Sequence, residues 1–174
     1  MPESTIYVDW NGAKCNSLRR YQSGGGETYS DIRNAATASE TPIEIMNPMI
    51  GQRGPAGDFL LYRATLQFDT SVIPGNSSII NAKLQIQIVE DFSDTDFDIV
   101  IQNGQPDYPH DPAVIADYYH GNCSGNGGSL STSGKSTGLY YDIALTGDGK
   151  SWINTGAGAI TKLYLRSSKD ISGT

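Results

Sequence analysis

The sequence predicts an all-β fold, an antiparallel β-sandwich of the jelly-roll kind with one or two short helical turns. Three observations predict it. Apolar residues recur at every second position in several separate runs; 20 glycines and 8 prolines punctuate the 174 residues; and segments with a helical period are scarce. At this length folding buries roughly 70% of the surface that the unfolded chain exposes, so one core suffices. Residues 1–174 therefore read as a single domain, with an irregular hairpin and loops over 1–58 and the sandwich core over 59–167.

Taken in order, Ile6, Val8 and Trp10 alternate with Tyr7 and Asp9, and Asn11-Gly12 follows, a pair that tolerates the positive φ of a tight hairpin. Trp10 shares a face with Ile6 and Val8 and is assigned to the core. Residues 23–55 show no sustained period and read as loop with short strands. Over 59–68, Leu60, Tyr62, Ala64, Leu66 and Phe68 fall on one face, while Arg63, Thr65 and Gln67 fall on the other. That is the pattern of a strand with one wet face. Ile73-Pro74-Gly75-Asn76 turns the chain, and Ala82, Leu84, Ile86 and Ile88 then alternate with Lys83, Gln85 and Gln87. Phe97, Ile99 and Ile101 mark a third strand, Tyr141, Ile143 and Leu145 a fourth, and Leu163 with Leu165 a fifth.

Helix is expected in two places only. Asp111-Pro112 can cap and start a turn running through Ala113 to Tyr119, and a second turn is placed at Gly149 to Asn154, where Trp152 should plug one end of the sandwich. Gly121 to Gly138 is a Gly/Ser/Thr-rich loop.

The formal net charge is −7 and the isoelectric point about 4.6. A nucleic-acid partner is disfavoured, because phosphate affinity is supplied mainly by Lys and Arg. An anionic membrane is disfavoured for the same reason, and no apolar run approaches the ~20 residues of a bilayer span. The opening Met-Pro-Glu-Ser lacks the basic and apolar regions of a signal peptide. Cys15 and Cys123 are the only cysteines; they admit either one disulfide, contributing about 4 kcal/mol through its long loop, or two free thiols.

The segment Tyr62 to Ile88, with a strand ending Leu66-Gln-Phe68-Asp69, then Ile73-Pro74, then Ala82-Lys-Leu84, resembles the DNRLRE-type β-sandwich domains. Tyr140 to Ser168 resembles the same domains' threonine-ended strand, short turn with Trp152 and returning strand. The likeness spans about residues 59–167. It implies a jelly-roll-like sandwich used as an accessory module in extracellular, cell-surface and phage-encoded proteins, some of them similar to carbohydrate-binding modules. It also implies one more strand beyond Ile171 to Thr174, leaving a sheet edge that a neighbouring chain could complete.

Motifs for catalysis are wanting. No Gly-x-Ser-x-Gly elbow is present, and a pair of glycosidase carboxylates cannot be recognised from spacing. His110 and His120 flank the predicted helical turn, and His120-Gly-Asn-Cys123 supplies half of a zinc-ligand set at most. Gly24-Gly-Gly26 lacks the Lys and Ser/Thr of a phosphate loop. Asp91, Asp94, Asp96 and Asp98 begin like a calcium loop, then miss its glycine and its final glutamate, where Ile99 and Gln105 stand. Calcium is the one cofactor suggested; the alternative is a solvated turn leading into a strand.

Glycan binding asks for aromatic faces and planar polar side chains. Ten tyrosines against four phenylalanines fit that requirement. The candidates are Tyr108, Tyr118, Tyr119 and Tyr140, with Arg63 and Lys83 on a polar sheet face that also carries Gln67, Gln85 and Gln87. The expected function is a non-catalytic carbohydrate-binding or adhesion module, outside the cell or on a particle surface, with a polysaccharide as partner. The alternative is a structural subunit of a virion or extracellular filament that self-associates at an open edge.

Overall fold

The computed structural model describes residues 15–174 except 23, 25, 45–46 and 55–57. The predicted hairpin at residues 6–12, with Trp10, lies outside the described residues. Among the described residues nine strands form, β1 (Cys15–Gln22), β2 (Ile43–Glu44), β3 (Gly51–Arg53), β4 (Phe59–Asp69), β5 (Lys83–Gln87), β6 (Asp98–Asn103), β7 (Ser129–Ser131), β8 (Tyr140–Ala144) and β9 (Ile160–Ser167). Every described pairing is antiparallel. Seven strands make one sheet in the order β2-β1-β4-β9-β6-β7, with β3 also on β4, and β5 and β8 make a second. The chain is an all-β sandwich, as the alternation predicts.

The 11-residue β4 organises the larger sheet. One of its edges pairs with the whole of β1, while the other pairs first with β3 and then with β9. The register sets Ala64 opposite Leu165 and Leu66 opposite Leu163. These four pack with Ile99 and Ile101 of β6 and with Leu84 and Ile143 of the smaller sheet, forming the core between the sheets. Trp152 packs partly buried against the same core, the plug expected of it. The close approach of its ring explains part of the glycine in 121–138: a Cβ at Gly127 would stand 2.3 Å from Cζ3 of Trp152.

The other face of β4 corrects the sequence reading. Arg63, Thr65 and Gln67, expected to face water, have no solvent exposure. A second core covers them, built from Leu18, Leu61 and Tyr164 of the sheet with Ile32, Ala38, Tyr118 and Cys123 from covering segments. The larger sheet is thus buried on both faces. A polar residue at every second position marks a wet face only when nothing packs above it, and β4 carries its polar row beneath helices and loops.

Those covering segments start at short capping signals. Helix α1 (Tyr29–Asn34) has a capping box in which Thr28 Oγ1 accepts from Asp31 N and Asp31 accepts from Thr28 N. Helix α2 (Gly147–Ser151) starts where Thr146 Oγ1 accepts from Gly149 N, a little earlier than the turn predicted at 149–154. Helix α3 (Ser168–Ser172) starts where Ser167 Oγ accepts from Asp170 N. The predicted helix after Asp111-Pro112 reduces to a 3-10 turn at Ile115–Tyr118. Its amide cap comes from Asp117, whose carboxylate accepts from Val114 N at 2.8 Å, and not from Asp111.

Candidate functional site

The smaller sheet presents one polar face to solvent. Leu84, Ile86 and Ile143 point inward, so their neighbours Lys83, Gln85 and Gln87 on β5 and Tyr140, Asp142 and Ala144 on β8 point outward. The register makes three cross-strand rungs: Lys83 opposite Ala144, Gln85 opposite Asp142, and Gln87 opposite Tyr140. From first rung to third the face runs about 13 Å. Asp142 is its hinge point, accepting from Lys83 Nζ at 2.8 Å and from Gln85 Nε2 at 2.9 Å. These two bonds hold its carboxyl below the usual range. Gln87 donates to the Gly138 carbonyl at 3.0 Å. The amides and the carboxylate are therefore fixed in place, and Tyr140 stands beside them with 65% of its surface exposed.

The predicted tyrosines do not converge. Tyr118 has no exposure: its ring lies 4.3 Å from the Arg63 guanidinium and its hydroxyl donates to the Ile32 carbonyl. Tyr108 packs partly buried against the same second core and edge-on to His110. Tyr119 is exposed, against the His120 ring, next to the 3-10 turn that covers the second core. The smaller sheet lies on the opposite face of the larger one, so only Tyr140 joins it. Of the two predicted cations, Lys83 joins the site and Arg63 is corrected to a core residue.

Arg63 instead belongs to a buried ionic cluster that sequence reasoning missed. Its Nε and Nη2 each donate to the Asp170 carboxylate at 2.7 Å, Nη2 also reaches the Arg33 carbonyl at 2.9 Å, and Nη1 bonds the Tyr118 carbonyl. Arg166 Nε donates to the same carboxylate at 2.7 Å and Arg166 Nη1 to Gln102 Oε1 at 2.8 Å. Burial opposes the charge on Asp170, yet the two arginines outweigh it and hold its pKa below the ordinary value. Every polar group here faces another protein group, so the cluster fixes structure. The legible signal was Ser167-x-x-Asp170, a helix-start pattern.

Asp91, Asp94, Asp96 and Asp98 are all exposed. Asp91 accepts from Ser93 N, and Asp96 from Thr132 Oγ1. Among the described residues no group of three or more His, Cys, Asp or Glu is placed to hold a metal ion. Cys15 and Cys123 are free thiols, on the first and second core respectively and hence on opposite faces of the larger sheet. His110 Nδ1 lies 2.7 Å from the buried Asp117 carboxylate. No helix among the described residues is long and apolar enough to cross a membrane.

No family model matches this sequence, and no curated protein or solved structure matches it either.

Proposed function

We propose that the chain is a non-catalytic carbohydrate-binding or adhesion module that works outside the cell or on a particle surface. The observation that carries this reading is the outer face of the smaller sheet. There an exposed Tyr140 adjoins Gln87, Gln85, Asp142 and Lys83, and all but the tyrosine are held by hydrogen bonds. A pyranose offers an apolar C–H face and a rim of hydroxyls; a tyrosine ring meets the first, and planar amides and a carboxylate meet the second. Side chains already fixed lose little entropy on binding. The DNRLRE likeness of residues 59–167 points the same way. The test is a glycan-binding screen with wild type and Tyr140→Ala: affinity lost in the variant, with its melting temperature kept, is the expected result.

A second reading, a structural subunit of a virion or filament, is favoured by the small size of the second sheet. Among the described residues β5 pairs only with β8, and a strand paired on one side is a template for another chain. Light scattering decides this reading: a monomer at every concentration would end it.

A further inference from the structure

We infer that a second saccharide subsite, for a neutral sugar, lies in the groove between the 92–97 segment and the edge formed by β3 and α3. The ligand class rests on the glycan reading above; the location does not.

The groove holds about 490 Å³, within the range of small-ligand sites. Phe92 stands on its lip with 87% of its surface exposed, the most exposed large apolar side chain among the described residues. Phe97, packed on the first core, lines the groove below it. The side chains of Arg53 and Asp94 also line it, and among the described residues neither side chain has a hydrogen bond or ion pair. An uncommitted guanidinium and an uncommitted carboxylate beside a bare aromatic ring are a donor fork, an acceptor pair and a stacking face in one concavity.

The walls are held in place. Lys169 of α3 reaches across to Thr95 Oγ1, Ser168 Oγ accepts from Asp98 N at 2.9 Å, and Thr132 Oγ1 accepts from Phe97 N at 3.0 Å. Asp91 shapes the turn under Phe92 by accepting from Ser93 N at 2.9 Å. The exposed ring thus sits on an anchored segment, and its exposure is built into the loop.

Charge selects the ligand. Arg53, Lys169 and Asp94 all line the groove, while Glu90, Asp91, Asp96 and Asp98 are exposed along the same stretch of a chain of net charge −7. An acidic polysaccharide would meet repulsion on approach; a neutral one would not. The chain runs from Gln87 on the Tyr140 face to Phe92 through only four residues, so one polymer can touch both places and gain from their linkage.

The experiment titrates cellohexaose, xylohexaose, mannohexaose and an oligogalacturonate into wild type, Phe92→Ala, Arg53→Ala and Tyr140→Ala, following backbone amide signals of residues 52–54 and 92–97. Both exposed positions tolerate truncation, and melting curves verify it. The expected result is a neutral oligosaccharide that shifts the groove signals in wild type and binds about tenfold more weakly to Phe92→Ala and Arg53→Ala. Binding lost only in Tyr140→Ala, with groove signals unmoved, overturns the subsite and leaves the glycan reading standing. Groove signals moved only by the oligogalacturonate overturn the neutral assignment. No response to any probe overturns both.

Discussion

Arg63 and Asp170 lie 107 residues apart in sequence and meet through two parallel 2.7 Å hydrogen bonds in a site with no solvent exposure for either side chain. The pair ties the middle of β4 to α3 at the chain's end. Arg166 and Arg33 add their own bonds, the latter to the Asp170 and Ile171 carbonyls at 2.5 and 2.8 Å. Two buried guanidinium groups thus share one carboxylate, and the Tyr118 ring and several carbonyls absorb the excess positive charge. Asp170→Ala removes the carboxylate that Arg63 and Arg166 share and strands both cations, so urea denaturation should show a loss of about 3–5 kcal/mol. Lys83→Ala breaks an exposed pair and should leave the urea midpoint in place.

The same carboxylate sets a pH dependence. Its folded-state pKa lies below that of the unfolded chain, so the stability it contributes is fully present above the ordinary aspartate pKa of ~3.9. It is lost as pH falls through the depressed folded value, because the unfolded state then binds the proton more readily. Urea midpoints measured from pH 7 to pH 2 should hold steady to about 4 and then fall. In Asp170→Asn the part of that fall due to this group should vanish; an unchanged acid limb in the variant would show that other carboxylates govern it.

How much of this was legible beforehand follows from what a local pattern can contain. The inner face of β4, with Ala64, Leu66 and Phe68, was readable because period-two alternation is a property of the strand alone. That Arg63, Thr65 and Gln67 are buried was not, because it depends on α1 and the 104–123 segment packing above them. The helices were readable in principle: Thr28-x-x-Asp31 and Ser167-x-x-Asp170 both carry the helix-start pattern. That Tyr140 and Lys83 face outward was readable from the strand pattern, while the burial of Tyr118 was not, because nothing within its own short turn says which side faces the sheet. The exposure of Phe92 had no sequence signal, since an isolated aromatic in an acidic turn has no periodic partners.

Thiol chemistry offers a separate check on the two-core arrangement. Burial raises the Cys15 pKa to about 11 and pushes that of Cys123 up as well, against the pull of Arg166 and Arg63. Thiolate is the reactive form, so both should resist iodoacetamide at pH 7.5 in the native protein and react in urea. Mass spectrometry counts the adducts. Their positions on opposite faces of the larger sheet also predict that mild oxidants leave the folded chain without an intramolecular disulfide.

Packing at the Trp152 end gives the last prediction. Gly127 and Gly149 press together beneath the indole: a Cβ at Gly127 would stand 2.3 Å from the ring and 3.2 Å from the Gly149 Cα, and a Cβ at Gly149 would stand 2.1 Å from the Gly127 carbonyl oxygen. The first clash is with a side chain, which can shift; the second is with backbone, which is held by Gly127 N to Ile101 O at 2.8 Å and Thr146 N to Gly127 O at 2.9 Å. Overpacking of this kind costs about 1–3 kcal/mol, and the stiffer obstacle places Gly149→Ala toward the top of that range. Truncating the obstacle separates the two cases. In a Trp152→Ala background Gly127→Ala should become much less costly, because the ring it strikes is gone and only the 3.2 Å approach to the Gly149 Cα remains, whereas Gly149→Ala should remain costly. Urea denaturation of the single and double variants measures the coupling. A Gly149→Ala effect that disappears with the indole would mean that the ring, and not the Gly127 backbone, limits the space there.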